Sequence, residues 1–585
     1  MFRSALILTI TLIASVAAIA ADSSAQDAEK SSYIVQAASL ETARDAVNGI
    51  GGEVTHELQI INSVGARLTV DQFGALSRDG RLKIQKDRQA GVSDASQLSS
   101  SNTSLLSSYP PASGTGPRTF YPSLVNASEI HHKGIIGTGV TVAVVDTGYF
   151  DTDDISKDPN GQRRIVAQYD AIENELLESD DDDDDDGIGR DNNGHGSHVT
   201  SVISNSEKDV DGNYLGIAPG VNIVSVKAFD MNGNGTYLDV IRGLDWILSN
   251  RVEYGIRVAN MSFSAEPQSH YWDDPINQAV MRLWQEGIVI VASAGNRGAE
   301  AMTIGVPGNV PYVITVGSMN DQGTPFFSDD DTLSSFSSAG PTAEGFVKPD
   351  VLAPGNNIIG LMDNGAHKIT LDHPEFMFAY GDSNNYFEMS GTSQSAAVVT
   401  GVVAMMLQYQ SNLTPDQVKC KLVSSSNPAV NDDGTLAYSV FQQGAGLVNA
   451  LRALRNRTVD CANVGMDVAA DLAGNIHYGG RANVDEDGNY YIMGLDGYMW
   501  TDGYMWTDGY MWTDGYMWTD GYMWTDAYMW TDGTIGSSGY MWTDGYMWTD
   551  GYMWTDGYMW TDAYMWTDSL KKIKKAGINV WVQPE

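Results

Sequence analysis

Cysteine is nearly absent from this chain of 585 residues, which has only Cys420 and Cys461. So few cysteines exclude a disulfide-built scaffold. Neither sits in a CxxC or metal-ligand spacing, which sets aside zinc and thiol redox chemistry. Basic residues are scarce as well: 34 Lys and Arg face 74 Asp and Glu, for a net charge of −40. That balance excludes nucleic acid and anionic membrane surfaces as partners and leaves solubility as the plain reading of the charge. Long apolar runs are missing beyond the N-terminal stretch Ala5–Ala17, which is itself too short to span a bilayer stably. With Arg3 before it and Ala18-Ile19-Ala20 after it, the segment 1–20 reads as an export signal with an A-x-A cleavage site. The mature protein is expected to lack a membrane span and to be secreted, into an extracellular or periplasmic space.

An exported chain is permitted disulfides, and pairing Cys420 with Cys461 would close a loop contributing about 4 kcal/mol in the chain-entropy model. Two free buried thiols are the other reading. At this length, two to four domains are expected. Residues 32–89 combine a strand-like YIVQA at Tyr33–Ala37, helical spacing over Leu40–Gly49, alternation through ELQIINSVGARLTV and a second helix near Asp71–Ser77. Residues 90–118 are rich in Ser, Gly and Pro and read as a linker. From 119 to 457, near-continuous β-branched runs (VTVAVVD, VNIVSVKAF, RVANMSF, GIVIVASAG, YVITVGS) alternate with helical stretches such as Leu238–Ser249 and Pro275–Gln285. That alternation predicts a three-layer α/β fold whose parallel sheet is buried on both faces, with ligands at the carboxyl ends of the strands. Thr414, Pro415 and Gln417 spell a helix start with a capping box.

Within that domain, VAVVDTG around Asp146, NNGHGSHV around His195 and EMSGTSQSAA around Ser393 place an Asp, a His and a Ser at Gly-flanked junctions. A fourth segment, IVIVASAGN, ends a strand at Asn296. Acyl transfer needs a hydroxyl nucleophile, an imidazole base, a carboxylate that orients it and an amide donor for the oxyanion. The order Asp, His, Ser is that of subtilisin. The four segments, with SSFSSAGP…KPDVLAPG at Ser334–Gly355, resemble the subtilisin-like serine proteases, the S8 or subtilase family. The wording YFEMSGTS…LTPDQVK…QGAGLVNALRAL is closest to its AprX-like branch, some of whose members carry tryptophan-rich C-terminal repeats. The resemblance implies a serine endopeptidase acting on proteins or peptides, with Asp146, His195 and Ser393 catalytic, Asn296 in the oxyanion hole and no cofactor for the chemistry. It also implies that 32–89 is an inhibitor-type propeptide, removed within the linker.

The chain departs from the family in two places. Gln394-Ser395 follows the nucleophile where most relatives have Met-Ala, with Ala397 in place of Pro. Ser262-Phe263-Ser264 stands where Ser-x-Gly is common, on the strand expected to bind substrate in the primary pocket. His198, three residues after His195, has no acidic ligand at helical spacing and reads as core packing rather than half of a metal pair. The run Asp180–Asp186 leads into Gly187-Ile188-Gly189-Arg190-Asp191. Its phasing makes Asp182, Asp184, Asp186 and Asp191 candidate ligands of a structural Ca²⁺, but it lacks the bidentate Glu of an EF-hand. A solvated acidic insertion is the equal alternative.

A connector at 458–496 leads to eleven copies of YMWTD at a period of six (497–568), then a basic tail at 569–585. Four-residue strands with two-residue turns, or a solenoid with one corner per repeat, both fit that period and predict a β-rich module. Its rings either stack within the array or contact glycan or a cell surface. A surface adhesin whose protease domain only matures it is the alternative function.

Overall fold

The computed structural model describes residues 30–90, 119–177 and 191–493, apart from 210, 325–327, 364, 381–382, 432–434 and 486–487. The export signal, most of the linker, the acidic run, the repeats and the basic tail lie outside the described residues. Two units divide between Arg88 and Gln89.

In the first unit, alternation produces four short strands: β1 (Ser31–Gln36), β2 (Glu53–Leu58), β3 (Ser63–Leu68) and β4 (Lys83–Lys86). They form an antiparallel sheet in the order β2-β3-β1-β4. Helix α1 (Leu40–Gly49) starts at Ser39, whose side chain accepts from the Thr42 amide, and α2 (Val70–Leu76) opens on a Thr69/Gln72 capping box. Val35, Val47, Val64, Leu68 and Leu76 fill the core.

The second unit is built on a nine-stranded mixed sheet. Its parallel members are β5 (Thr141–Asp146), β6 (Ile165–Asp170), β7 (Asn222–Lys227), β8 (Ile256–Met261), β9 (Val289–Ser293), β10 (Ile314–Asn320) and β11 (Val351–Pro354). They lie in the order β11-β10-β9-β8-β5-β7-β6. Every residue of β5, β9 and β10 is buried, so both faces of the sheet are covered, as the unbroken Val/Ile runs require. The covering helices include α3 (His195–Ser204), α4 (Tyr237–Asn250), α5 (Pro275–Gln285) and α6 (Thr392–Tyr409). The α4–α5 and α3–α6 pairs pack against each other. The next two strands, β6 and β7, lie on one side of β5 and β8 to β11 on the other, so the winding reverses at β5. In open α/β sheets such a reversal leaves a crevice at the strands' carboxyl ends, and β5 ends at Asp146.

Helix α7 (Pro415–Val423) has the expected capping box, Thr414 with Gln417. Cys420 on α7 is bonded to Cys461, 41 residues on, beyond α8 (Ala450–Arg455). A loop of this length contributes about 4 kcal/mol. Cys461→Ala is expected to lower the melting temperature by about 5 °C for a domain of this size, read by calorimetry with and without reductant. An unchanged transition would remove the disulfide from the stability of this unit.

The segment read as a connector is not a bare linker. It carries a short helix (Val468–Leu472) and a hairpin (Ala482–Val484 with Tyr490–Ile492). Asp471 accepts hydrogen bonds from the hydroxyls of Tyr271 (2.7 Å) and Tyr312 (2.9 Å) and pairs with His477 Nδ1 at 2.8 Å. One buried carboxylate therefore holds this segment to the sheet-bearing unit. A five-residue helix has too little periodicity to announce that burial in sequence. Among the described residues no helix is long and apolar enough to cross a membrane.

Candidate active site

Asp146 is the last residue of β5 and His195 the first of α3. Both are buried, and His195 Nδ1 lies 2.7 Å from Asp146 Oδ1. The same carboxylate oxygen accepts from the Thr147 amide at 2.8 Å. Thr147 Oγ1 in turn accepts from the Gly196 amide at 2.9 Å, so the strand end and the helix start hold each other directly. A Cβ on Gly196 would lie 2.3 Å from the Gly148 carbonyl oxygen, which is why the HGSH sequence has glycine there. Because a carboxylate only accepts, His195 carries its proton on Nδ1 and turns an acceptor Nε2 to the other side. That Nε2 is buried and has no hydrogen-bond partner among the described residues.

Ser393 is the second residue of α6, an 18-residue helix whose first-turn amides lack intrahelical acceptors. Its hydroxyl donates to the Ser262 carbonyl at 3.0 Å. Asn296 follows β9. Its Oδ1 accepts from the Thr392 amide (3.0 Å) and hydroxyl (2.8 Å). That pins the side-chain amide, and Nδ2, a donor, is left buried with no partner among the described residues. The site thus holds one orphan acceptor on His195 and one orphan donor on Asn296, the two that a reacting acyl group would satisfy.

Ser262, Phe263 and Ser264 follow β8 and are all buried. Phe263 packs on Phe229, with ring centroids 5.1 Å apart. Ser264 fits because residue 305 is glycine, where a Cβ would sit 1.8 Å from the Ser264 hydroxyl oxygen. The two-residue strand Gln89–Ala90 pairs antiparallel with Gly235–Thr236. Gly235 abuts the Ala228 carbonyl, and the Ala228 amide donates to the main-chain carbonyl of Asp146. An extended segment of this chain therefore lies on the sheet-bearing unit, linked to Asp146 through Gly235 and Ala228.

Of the candidate calcium ligands, Asp182, Asp184 and Asp186 lie outside the described residues. Asp191 is buried, with both oxygens engaged at the start of α3. They accept from the Asn193 (3.0 Å), Gly194 (2.7 Å) and Ser197 (2.8 Å) amides and the Ser197 hydroxyl (2.7 Å). Among the described residues no group of three or more His, Cys, Asp or Glu is placed to hold a metal ion.

His198 sits in the core, its Nε2 3.1 and 3.2 Å from the Ile358 and Phe387 carbonyl oxygens. Burial, and secondarily His195, push its pKa down to about 3. A histidine held neutral in the fold stabilises it fully above the ordinary value near 6.5 and loses that contribution as pH falls from there through about 3. The melting temperature of the wild type is expected to fall more steeply across this window than that of His198→Gln. Parallel curves would show that His198 does not govern the acid side.

Sequence reading missed the Thr392 clamp on Asn296 and the polar residues behind Ser393, Asn260 and Thr400. The available signal was a polar side chain inside an apolar element, as in RVANMSF and SAAVVTGVV.

The subtilase family profile matches residues 137–446, more than half of the chain. Serine protease AprX of Bacillus subtilis is 36% identical over 332 residues, covering 56% of this chain and 69% of AprX. The thermostable alkaline protease of Halalkalibacterium halodurans is 26% identical over 435 residues, 74% of this chain and 94% of that protein. Among solved structures, fervidolysin from Fervidobacterium pennivorans, a keratinolytic enzyme related to subtilisin, matches with a TM-score of 0.54 at 23% identity. That match covers 74% of this chain and 62% of fervidolysin, and it speaks to the fold alone. On the profile and the AprX identity, this chain belongs to the subtilase family, as a subtilisin-like serine endopeptidase.

Proposed function

We propose that the protein is a secreted endopeptidase, made as a self-processing zymogen, that cleaves peptide bonds with Ser393, His195, Asp146 and Asn296. The observation that carries the proposal is the 2.7 Å His195–Asp146 contact together with two orphan groups, His195 Nε2 and Asn296 Nδ2, the latter on a side chain clamped to the start of α6 by Thr392.

In the first step Ser393 Oγ bonds to the scissile carbonyl carbon and its proton passes to His195 Nε2. Asp146 stabilises the resulting imidazolium without taking its proton. The negative oxygen formed on the carbonyl is held by Asn296 Nδ2 and the Ser393 amide, the latter reinforced by the positive end of α6. Collapse breaks the C–N bond and His195 returns the proton to the leaving amine. Water then attacks the acyl-serine by the same route in reverse, restoring Ser393 and releasing the acid. The side chains needed for this are all present, so no cofactor is required. The Gln89–Ala90 pairing with Gly235–Thr236 supports binding of substrate as an added strand, with main-chain hydrogen bonds giving affinity.

Residues 32–89 act in this proposal as a removable inhibitor, supported by a small α+β unit that ends at the linker. Purified wild type is expected to accumulate a form beginning within 90–118 on refolding, while Ser393→Ala remains full length. Equal cleavage of the two proteins would assign processing to another protease. The repeats lie outside the chemistry in this reading, because YMWTD sets no His or Lys beside its carboxylate to activate a hydroxyl.

A further inference from the structure

Three buried polar side chains behind the nucleophile form one directional chain that ends on the nucleophile's own main-chain carbonyl. The Thr400 hydroxyl lies 2.8 Å from Asn260 Oδ1, Asn260 Nδ2 lies 2.8 Å from Ser262 Oγ, and Ser262 Oγ lies 2.9 Å from the Ser393 carbonyl oxygen. Thr400, Asn260, Ser262 and Ser393 are all 0% exposed, so no bulk water substitutes for a missing partner. The polarity of the chain follows from its last member. A carbonyl only accepts, so the Ser262 hydroxyl must donate its single proton there. It must then receive from Asn260, and a donating Nδ2 turns Oδ1 toward Thr400, which must donate. The side-chain amide of Asn260 has one orientation in this arrangement.

The anchoring points make the chain more than a core contact. Ser393 and Thr400 are seven residues apart on α6, two turns, and so lie on one face of that helix. Asn260 lies in β8, and Ser262 lies just beyond its end. Ser262 and Ser393 also exchange two hydrogen bonds, each hydroxyl going to the other's carbonyl, at 2.9 and 3.0 Å. In the structure the nucleophile's proton is thus directed at the Ser262 carbonyl, while His195 Nε2 has no partner among the described residues.

We propose that Asn260 and Thr400 are positioning residues for the nucleophile: acting through Ser262, they fix the Ser393 backbone and the carbonyl that holds its hydroxyl before attack. Neither touches the reacting atoms. Their loss tilts the first turn of α6 relative to the end of β8, misplacing both Ser393 Oγ and the Ser393 amide.

The inference rests on the reading above, so wild-type modification by phenylmethylsulfonyl fluoride at Ser393 is the first control; without it, that reading fails, not only this one. With it, a small chromogenic peptide is assayed well below the melting temperature. Thr400→Val keeps the shape and removes the donor. It is expected to lower kcat by about tenfold with KM within about twofold, the size of one net hydrogen bond. Thr400→Ser, which keeps the hydroxyl, is expected to restore kcat. In a Ser262→Ala background, where the chain is already cut, Thr400→Val is expected to cost less than about twofold, the non-additivity of residues acting through one path. A structural role alone would lower the melting temperature and leave kcat of the folded protein intact. Unchanged kcat in Thr400→Val, or the same fold-loss in both backgrounds, overturns the proposal. If Thr400→Val does not fold, Thr400→Ala is read by the same criteria.

Discussion

Ser393→Ala is expected to lower kcat by about six orders of magnitude, the loss that follows removal of the nucleophile in subtilisin, with circular dichroism and melting temperature close to wild type. The fold should tolerate the change. The Ser393 hydroxyl donates to the Ser262 carbonyl, and the Ser393 carbonyl that receives the Ser262 hydroxyl is main chain. Some catalysis should survive, because Asn296 Nδ2 and the residue 393 amide can still meet an oxyanion formed by attacking water. That remainder is about 10³ to 10⁴ over the uncatalysed rate. A loss below about a hundredfold would be smaller than a single oxyanion donor is worth and would mean that another residue attacks.

Asn296→Ala is expected to cost about 10² to 10³ in kcat, roughly 2.7–4 kcal/mol of transition-state stabilisation. Truncation also deletes Oδ1, which holds the Thr392 amide and hydroxyl, so alanine alone does not separate donor from anchor. Asn296→Asp does. It keeps an oxygen for Thr392 but sets a second acceptor, with negative charge, where the oxyanion forms. If donation matters, Asp is at least as damaging as Ala, and KM moves little in either. Near-wild-type kcat in Asn296→Asp would reduce Asn296 to a clamp on the start of α6.

The parts of this architecture that sequence exposed are those with strong local rules. Unbroken Val/Ile runs in VTVAVVD and GIVIVASAG announce strands buried on both faces, and β5 and β9 are fully buried. Thr414-Pro415-x-Gln417 announces its helix start through capping geometry, and α7 begins there. Asp146, His195, Ser393 and Asn296 stand out because glycine and small residues must flank groups that approach one another closely. What sequence hid is non-local. Asp471 reaches Tyr271 and Tyr312 across 200 and 159 residues, and no periodicity in a five-residue helix reports that. Asn260 and Thr400 are 140 residues apart and meet only because β8 lies beneath α6. Asp191 illustrates a further limit. In sequence its place after the acidic run fits a calcium loop and a solvated insertion equally, and neither reading reports that its carboxylate accepts four hydrogen bonds at the start of α3, where negative charge complements the helix end.

The most direct measurement is peptide mapping by mass spectrometry after treating mature enzyme with phenylmethylsulfonyl fluoride, in wild type and in His195→Ala. A buried serine hydroxyl is a weak nucleophile unless a base takes its proton. One adduct per molecule is expected, on Ser393 alone, with full loss of peptidase activity, and the same reagent should leave His195→Ala essentially unmodified. An adduct on a different residue, or equal labelling of Ser393 with and without His195, would contradict a nucleophile activated by the His195–Asp146 pair.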